Sequence, residues 1–105
     1  MYKIEYLPIA MRDLEKIIAY IAGELSNPVA ANTLLDNLNE SVSKLAEFPL
    51  AFKVYRPIVH LETEYRVLPV KRYLVFYTIH ENKQSVEVHR ILYAKMNVDK
   101  LLHQA

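Results

Sequence analysis

The chain has 105 residues and a mass of 12.3 kDa; 52% of the residues are hydrophobic, 24% are charged and none is Cys. A chain of this length buries one hydrophobic core and is too short for two, so we expect a single domain over residues 1–105. The lack of Cys excludes disulfides, Cys-ligated metal sites and thiol nucleophiles, which suits a reducing cytoplasm.

Neither the start of the chain nor its apolar segments predict export or membrane insertion. Residues 1–5 contain no basic segment that leads into an apolar one, and the longest strongly apolar run covers only residues 73–79. A membrane-spanning helix needs about 20 apolar residues. We therefore expect a cytoplasmic protein with no membrane partner.

The formal net charge of +1 is divided unevenly along the chain. Residues 1–51 carry four basic and seven acidic side chains, whereas residues 52–105 carry nine basic and five acidic ones. The two parts therefore have charges of −3 and +4. This bias favours a local basic face for an anionic partner over a uniformly basic surface.

The first half of the chain predicts one strand and two helices. Polar and apolar residues alternate over residues 2–6, as in a strand with one buried face. Pro8 suits the first turn of a helix over about residues 8–25, and Asn27 with Pro28 suits the cap and first turn of a second helix over about residues 28–47. The short connection between them predicts an antiparallel helical hairpin.

The second half predicts a sheet. We expect residues 50–63, which include Pro57, to form a loop with at most a short extended piece. The following β-formers predict strands over residues 65–70, 73–79 and 85–92, the last two joined by a polar turn at residues 80–83. Asn97 is a suitable cap for a short final helix over residues 98–103.

Together these elements predict an α+β domain of order β-α-α-β-β-β. The helical hairpin is expected to pack on one face of a small, mainly antiparallel sheet, followed by the short C-terminal helix. The apolar positions of these elements predict a core formed by Leu14, Ile17, Ile18, Ile21, Leu35, Leu38, Val42, Val75 and Tyr77.

Four segments carry a resemblance to a known family: IEYLPIAMRDLEKIIAYIA, NPVAANTLLDNLNESVSKLAEFP, YRVLPVKRYLVFYTI and VEVHRILYAKMN. Their order and spacing resemble the RelE/ParE superfamily of bacterial type II toxins, over nearly the whole chain. The resemblance implies a toxin of a toxin–antitoxin, or plasmid stabilisation, module whose partner is an antitoxin encoded beside it. It does not predict the oligomeric state.

The resemblance implies two alternative activities. Relatives of the RelE kind enter the ribosomal A site and cleave mRNA without a metal. Relatives of the ParE kind act on DNA gyrase, and for this alternative we expect inhibition by binding alone, without a chemical step. A third alternative is a degenerate relative that still binds an antitoxin. One scaffold carries all three, so the fold does not choose among them.

RNA cleavage without a metal needs a base, an acid and cations for the developing phosphate charge. On the resemblance we expect catalytic roles for Arg66, Arg90 and Tyr93. We expect Lys71, Arg72, His89 and Lys95 to contact nucleic acid or another target. Arg66 and Arg90 are predicted to converge near Tyr93, with Lys71, Arg72 and Lys95 at the rim.

Two departures from the RelE-like pattern favour the ParE-like alternative. Leu74 follows Tyr73 where the nucleases commonly carry Arg, and residues 94–97 are less basic than the corresponding nuclease ending. For Arg66 and Arg90, a structural role is as well supported as a functional one. Each is either a solvated strand residue or an ion-pair partner of Glu62, Glu64 or Glu87.

No cofactor or metal is expected. His60, His80, His89 and His103 show no close ligand spacing along the chain. The chain also has no Gly-rich phosphate loop and no Gly-x-Ser-x-Gly elbow, which disfavours nucleotide hydrolysis and serine esterase chemistry.

Overall fold

A four-stranded sheet carries a pair of helices on one face in the computed structural model, which describes residues 1–57 and 61–103. The strand order is β1-β4-β3-β2, with β1 parallel to β4 and the other pairs antiparallel. The α+β fold predicted from the sequence is therefore confirmed. The strands are β1 (Lys3–Tyr6), β2 (Arg66–Val70), β3 (Tyr73–His80) and β4 (Ser85–Tyr93), and the helices are α1 (Pro8–Ala19), α2 (Pro28–Ser43) and α3 (Val98–His103).

The helix ends follow the predicted capping residues. Pro8 is in the first turn of α1, and the Asn27 side chain accepts a hydrogen bond of 3.1 Å from the Ala30 amide at the start of α2. The two predicted helices end differently from the prediction. A π-helical turn, Tyr20–Glu24, follows α1, and a 3₁₀ turn, Lys44–Ala46, follows α2.

The sheet separates two apolar clusters. The first lies under α1 and α2, and its fully buried strand residues include Val75, Tyr77, Val86 and Val88. The second lies on the opposite face, around Phe76, and is covered in part by α3. The Tyr77 hydroxyl reaches the Pro49 carbonyl at 2.8 Å, which ties the end of the helical region to the central strand.

Burial differs between the two long helices. Leu38 and Val42 of α2 are buried as predicted, together with Val75 and Tyr77 of the sheet. The predicted core residues of the first helix are only half-buried, and Leu35 is half-buried as well. The reason is that α1 packs mainly on β4 at one side of the sheet and touches α2 much less. The half-buried residues are Leu14, Ile17, Ile18 and Ile21.

Strand β4 has a free edge and a bulge, and both shape the sites described below. Strand β1 ends at Tyr6, and beyond it the Leu7 amide donates a backbone hydrogen bond to the Val88 carbonyl on this edge at 3.0 Å. The antiparallel register shifts between Tyr77, which faces Val88, and Phe76, which faces Arg90. His89 is therefore the extra residue of a β-bulge.

The region before β2 is mainly loop, as predicted. Val54 forms an isolated bridge with Arg66, and the Tyr55 amide donates to the Tyr65 carbonyl at 2.7 Å. The Tyr55 hydroxyl donates to Asp99 of α3, and burial together with this bond raises the pKa of Tyr55 to about 12. His60, one of the histidines considered in the sequence, lies outside the described residues.

Within residues 1–57 and 61–103, none of the helices combines the length and apolarity that crossing a bilayer requires.

The buried face of α2 can be tested by truncation. Leu38 is 2% exposed in the first cluster, so Leu38→Ala should lower the free energy of unfolding by about 2–5 kcal/mol through lost burial and a cavity. Leu50, which is 63% exposed, provides the matched control, and Leu50→Ala should change stability by less than about 0.5 kcal/mol. Chemical denaturation monitored by circular dichroism measures both values. Equal effects of the two substitutions would contradict this core.

Candidate functional site

An open cleft of about 1080 Å³ lies between the helical region and the ends of β3 and β4. One wall consists of α1, the π-helical turn and α2, and the other consists of the β2–β3 turn and the last residues of β4. Met96 and Leu101 line the part of the cleft nearest α3. The cleft exists because α1 covers β4 and leaves a gap toward α2.

An ion pair between Asp13 and Arg90 forms the base of this cleft. Arg90 Nε donates to Asp13 Oδ2 at 2.7 Å, and Arg90 Nη2 donates to Asp13 Oδ1 at 2.9 Å. The third guanidinium nitrogen donates to the Leu101 carbonyl at 3.1 Å. Both side chains are about nine-tenths buried, at 10% and 12% exposure, and the hydrogen bonds to Asp13 raise the pKa of Arg90.

The same carboxylate completes the free edge of β4. Asp13 Oδ2 also accepts a hydrogen bond of 3.0 Å from the Ile91 amide. Beyond Val88, no strand within residues 1–57 and 61–103 pairs with this edge of β4, and a buried amide without a partner is costly. Asp13 therefore substitutes for the missing strand and, at the same time, neutralises the Arg90 side chain.

Three free cations surround the mouth of the cleft. Lys16 lies on α1, and Lys71 and Arg72 form the tight turn between β2 and β3. All three are exposed, and none of them forms an ion pair within the part of the chain that the structure describes. Lys71 has a left-handed backbone, with φ of 55°. These cations give the cleft a positive rim.

Aromatic and apolar side chains lie between these cations. The rings of Tyr73 and Tyr93 are 5.6 Å apart between centroids, and burial followed by the proximity of Tyr93 raises the pKa of Tyr73. Tyr20, Leu25 and Met96 also line the cleft, and each is more than half exposed, at 54%, 55% and 53%. The cleft thus combines an exposed apolar surface with positive charge.

The structure brings together four of the seven residues predicted for the site. Lys71, Arg72, Arg90 and Tyr93 all line the cleft. Lys95 is exposed in the turn after β4, and Arg66 and His89 lie elsewhere in the sheet. No contact in the described residues assigns a chemical role to any of the seven, so their functions stay predictions.

The expected convergence of Arg66 and Arg90 is contradicted. Arg66 is opposite Tyr77, whose side chain belongs to the first cluster, whereas Arg90 is opposite Phe76 of the second. The two positions are thus on opposite faces of the sheet, with β3 between them. Arg66 Nη1 instead donates to the Phe52 carbonyl at 2.7 Å, and Arg90 turns over the strand edge to Asp13.

A second polar cluster lies at the other end of β3 and β4. His80 Nε2 is 2.9 Å from Glu87 Oε1, and His89 Nε2 is 3.6 Å from the same oxygen. Thr78 Oγ1 is 3.0 Å from both imidazole nitrogens. Burial lowers the pKa of His89 below its usual value. We refer to Thr78, His80, Glu87 and His89 as the hairpin cluster.

Sequence reasoning missed the hairpin cluster because it considered only spacing along the chain. The signal was the hairpin itself: a turn at residues 81–84 pairs His80 with Ser85 and Thr78 with Glu87. Alternation then puts positions 78, 80, 87 and 89 on one face. The register, and not the sequence separation, brings the two histidines together.

This fold, with its basic and partly apolar cleft, defines a small toxin domain of the RelE/ParE type. The chain belongs to the family described as ParE toxin of the type II toxin–antitoxin system parDE, whose sequence model matches residues 4–98. The resemblance stated from the sequence is confirmed at this level. No curated protein sequence matches the chain significantly.

Solved structures of similar fold include three toxins. The chromosomal ParDE system of P. aeruginosa gives a TM-score of 0.71 at 18% identity and covers 90% of this chain and 98% of that one. The toxin–antitoxin complex RelBE2 of Mycobacterium tuberculosis gives 0.60 at 18% identity and covers 88% and 96%. A metal-bound toxin from Helicobacter pylori gives 0.61 at 23% identity and covers 89% and 94%.

The ion pair at the base of the cleft should be essential for stability. Asp13→Ala leaves the Arg90 guanidinium and the Ile91 amide without their partner, which should cost about 3–5 kcal/mol of unfolding free energy. Asp36 is exposed on α2, so Asp36→Ala is the matched control and should change stability by less than about 0.5 kcal/mol. Urea denaturation of both variants checks the difference, and a Cm of Asp13→Ala equal to that of the parent would refute the assigned role.

Proposed function

We propose that this protein arrests growth by binding a macromolecular target, which we take to be DNA gyrase, one of the two targets implied by the resemblance, and that it does not cleave RNA. The observation that carries this proposal is the chemistry of the cleft. Among its described lining residues, Asp13 is the one carboxylate, and no histidine is present. That carboxylate is already bound to Arg90 and to the Ile91 amide.

A metal-independent nuclease needs more than this cleft offers. A group must take a proton from the attacking hydroxyl while a free cation stabilises the phosphate charge. Lys16, Lys71 and Arg72 supply free cations, but no uncommitted base lies beside them among the described residues of the cleft. Leu74 packs against the second cluster, on the face away from α1 and α2. These features support binding to a partner surface that is anionic, or partly anionic and partly apolar, with no reaction catalysed in the cleft.

We further propose that the antitoxin covers the cleft. Exposed Tyr20, Leu25 and Met96 offer apolar contacts, and the cationic rim favours acidic residues in the partner. Two structures of similar fold support an antitoxin as the partner. The P. aeruginosa protein belongs to a ParDE system, and the M. tuberculosis protein belongs to the toxin–antitoxin complex RelBE2. A segment that is disordered alone and folds on the cleft would bury this surface.

The target can be tested with purified components. The protein should stop supercoiling of relaxed plasmid by DNA gyrase in a dose-dependent manner and leave mRNA on programmed ribosomes intact, because the cleft has no free base. The triple variant Lys16→Glu, Lys71→Glu, Arg72→Glu should need at least tenfold more protein for the same inhibition of supercoiling. Lys83→Glu, in the exposed β3–β4 turn, should inhibit as well as the parent. Message cleavage with unimpaired supercoiling would instead establish the nuclease alternative.

Antitoxin binding can be tested separately by calorimetry with the product of the adjacent gene. Binding should have a negative heat-capacity change, because it buries the apolar mouth of the cleft. The triple charge reversal should raise Kd at least tenfold at low salt, and the effect should shrink at high salt because the charges are exposed. Lys83→Glu again serves as the control. Equal affinity of both variants would place the antitoxin away from the cleft.

A further inference from the structure

The hairpin cluster lies outside the cleft and has no part in the function proposed above. It occupies the sheet face opposite α1 and α2, since Thr78 and His80 alternate with Tyr77 and Ile79, which belong to or pack against the first cluster. The cleft is at the Tyr73 end of β3, and His80 is at the other end. Tyr73 and His80 are seven residue steps apart, which corresponds to about 24 Å along the strand.

We propose that the hairpin cluster is a binding site for a first-row divalent cation, with Zn²⁺ as the ion that its ligands suit best. The ligands are His80 Nε2, Glu87 Oε1 and His89 Nε2. Two imidazoles and one carboxylate are a common Zn²⁺ ligand set, which leaves a fourth position for water or another ligand.

The donor atoms are close enough to form such a site after small side-chain rotations. One donor atom from each of the three residues lies within 4.8 Å of the other two, and the two His–Glu separations are 2.9 and 3.6 Å. Ligand atoms around a tetrahedral Zn²⁺ are about 3.3–3.5 Å apart, given bonds of about 2.0–2.2 Å. The cluster is therefore near the required size.

The surroundings of the three ligands hold two of them in place and leave one adjustable. Glu87 and His89 are 19% and 18% exposed, and the His89 ring packs edge-on against Tyr65 at 5.2 Å between centroids. His80 is 38% exposed at the end of β3. The half-exposed His80 side chain can rotate to close the site. Solvent can reach the fourth coordination position from the side on which His80 lies.

The bulge at His89 shapes the surroundings of the cluster. In a regular antiparallel pair, His89 would face Phe76, but Phe76 pairs with Arg90, and His89 has no register partner on β3. Bulges are common near functional sites. Here His89 Nε2 lies 3.6 Å from the carboxylate oxygen that His80 contacts at 2.9 Å.

Thr78 completes the arrangement as a positioning residue. Its hydroxyl lies 3.0 Å from both imidazole nitrogens and is directly across the strand pair from Glu87. With the cation in place, the two nitrogens turn to the metal, and the hydroxyl becomes available to a metal-bound water. Thr78→Val should therefore weaken binding less than loss of any of the three ligands.

The test is calorimetric titration of tag-free protein with ZnCl₂. One equivalent should bind, and His80→Gln, Glu87→Gln and His89→Gln should each weaken binding at least tenfold. The half-exposed His80 is the variant least able to disturb folding, and circular dichroism verifies the fold of all three. Titration with Co²⁺ should give the visible absorption bands of a tetrahedral site, and these should be absent in Glu87→Gln.

His103, exposed on α3, supplies the matched control, and His103→Gln should retain the affinity and stoichiometry of the parent. Absence of Zn²⁺ binding in the parent would overturn the proposal, and the cluster would then be a hydrogen-bonded ion pair only. Binding that survives in all three ligand variants would overturn it as well. Neither result depends on whether the protein acts on gyrase or on RNA.

Discussion

The rest of the molecule depends on one carboxylate, that of Asp13, at the free edge of β4. Strand β1 is too short to pair with the whole of β4, so the edge beyond Val88 is left with amides that need partners. Asp13 binds the Ile91 amide and both Nε and Nη2 of Arg90. Because Arg90 also binds the Leu101 carbonyl, this single contact connects α1, β4 and α3.

The position of α1 follows from that contact and explains the cleft. A helix held at the edge of β4 does not pack closely on α2, and its apolar residues stay half-buried. Incomplete burial of α1 leaves apolar surface open at the mouth of the cleft. Exposed Tyr20 and Leu25 are therefore a direct result of where α1 is anchored.

Local patterns predicted the elements well, because they depend on short-range chemistry. Alternation located the strands, and Pro8, Asn27 and Asn97 located the helix starts, the latter two through side-chain bonds to nearby amides. The order of the strands within the sheet, β1-β4-β3-β2, was not predicted, because it depends on pairing between distant segments. The half-burial of α1 was not predictable from its apolar stripe, which shows what a helix can bury but not how much its neighbours cover.

The candidate sites were less predictable because they depend on pairings across long stretches of chain. Arg90 was considered as a partner of nearby acidic residues, but its partner is Asp13, 77 residues away. Charge alone did not distinguish Arg66 and Arg90 from the free cations Lys71 and Arg72. Only the structure shows that the first two are held by a carbonyl and a carboxylate, whereas the turn cations have no such partners among the described residues.

The bulge at His89 also sets the phase of β4. Before it, Val86 and Val88 point toward α1 and α2; after it, Ile91 does, three positions beyond Val88 instead of two. If His89 instead paired regularly with Phe76, every later side chain of the strand would change face, so that Arg90 would enter the first cluster and Tyr93 would leave the cleft. The extra residue therefore keeps the Arg90 position on the face away from the first cluster, from which its guanidinium reaches over the strand edge to Asp13.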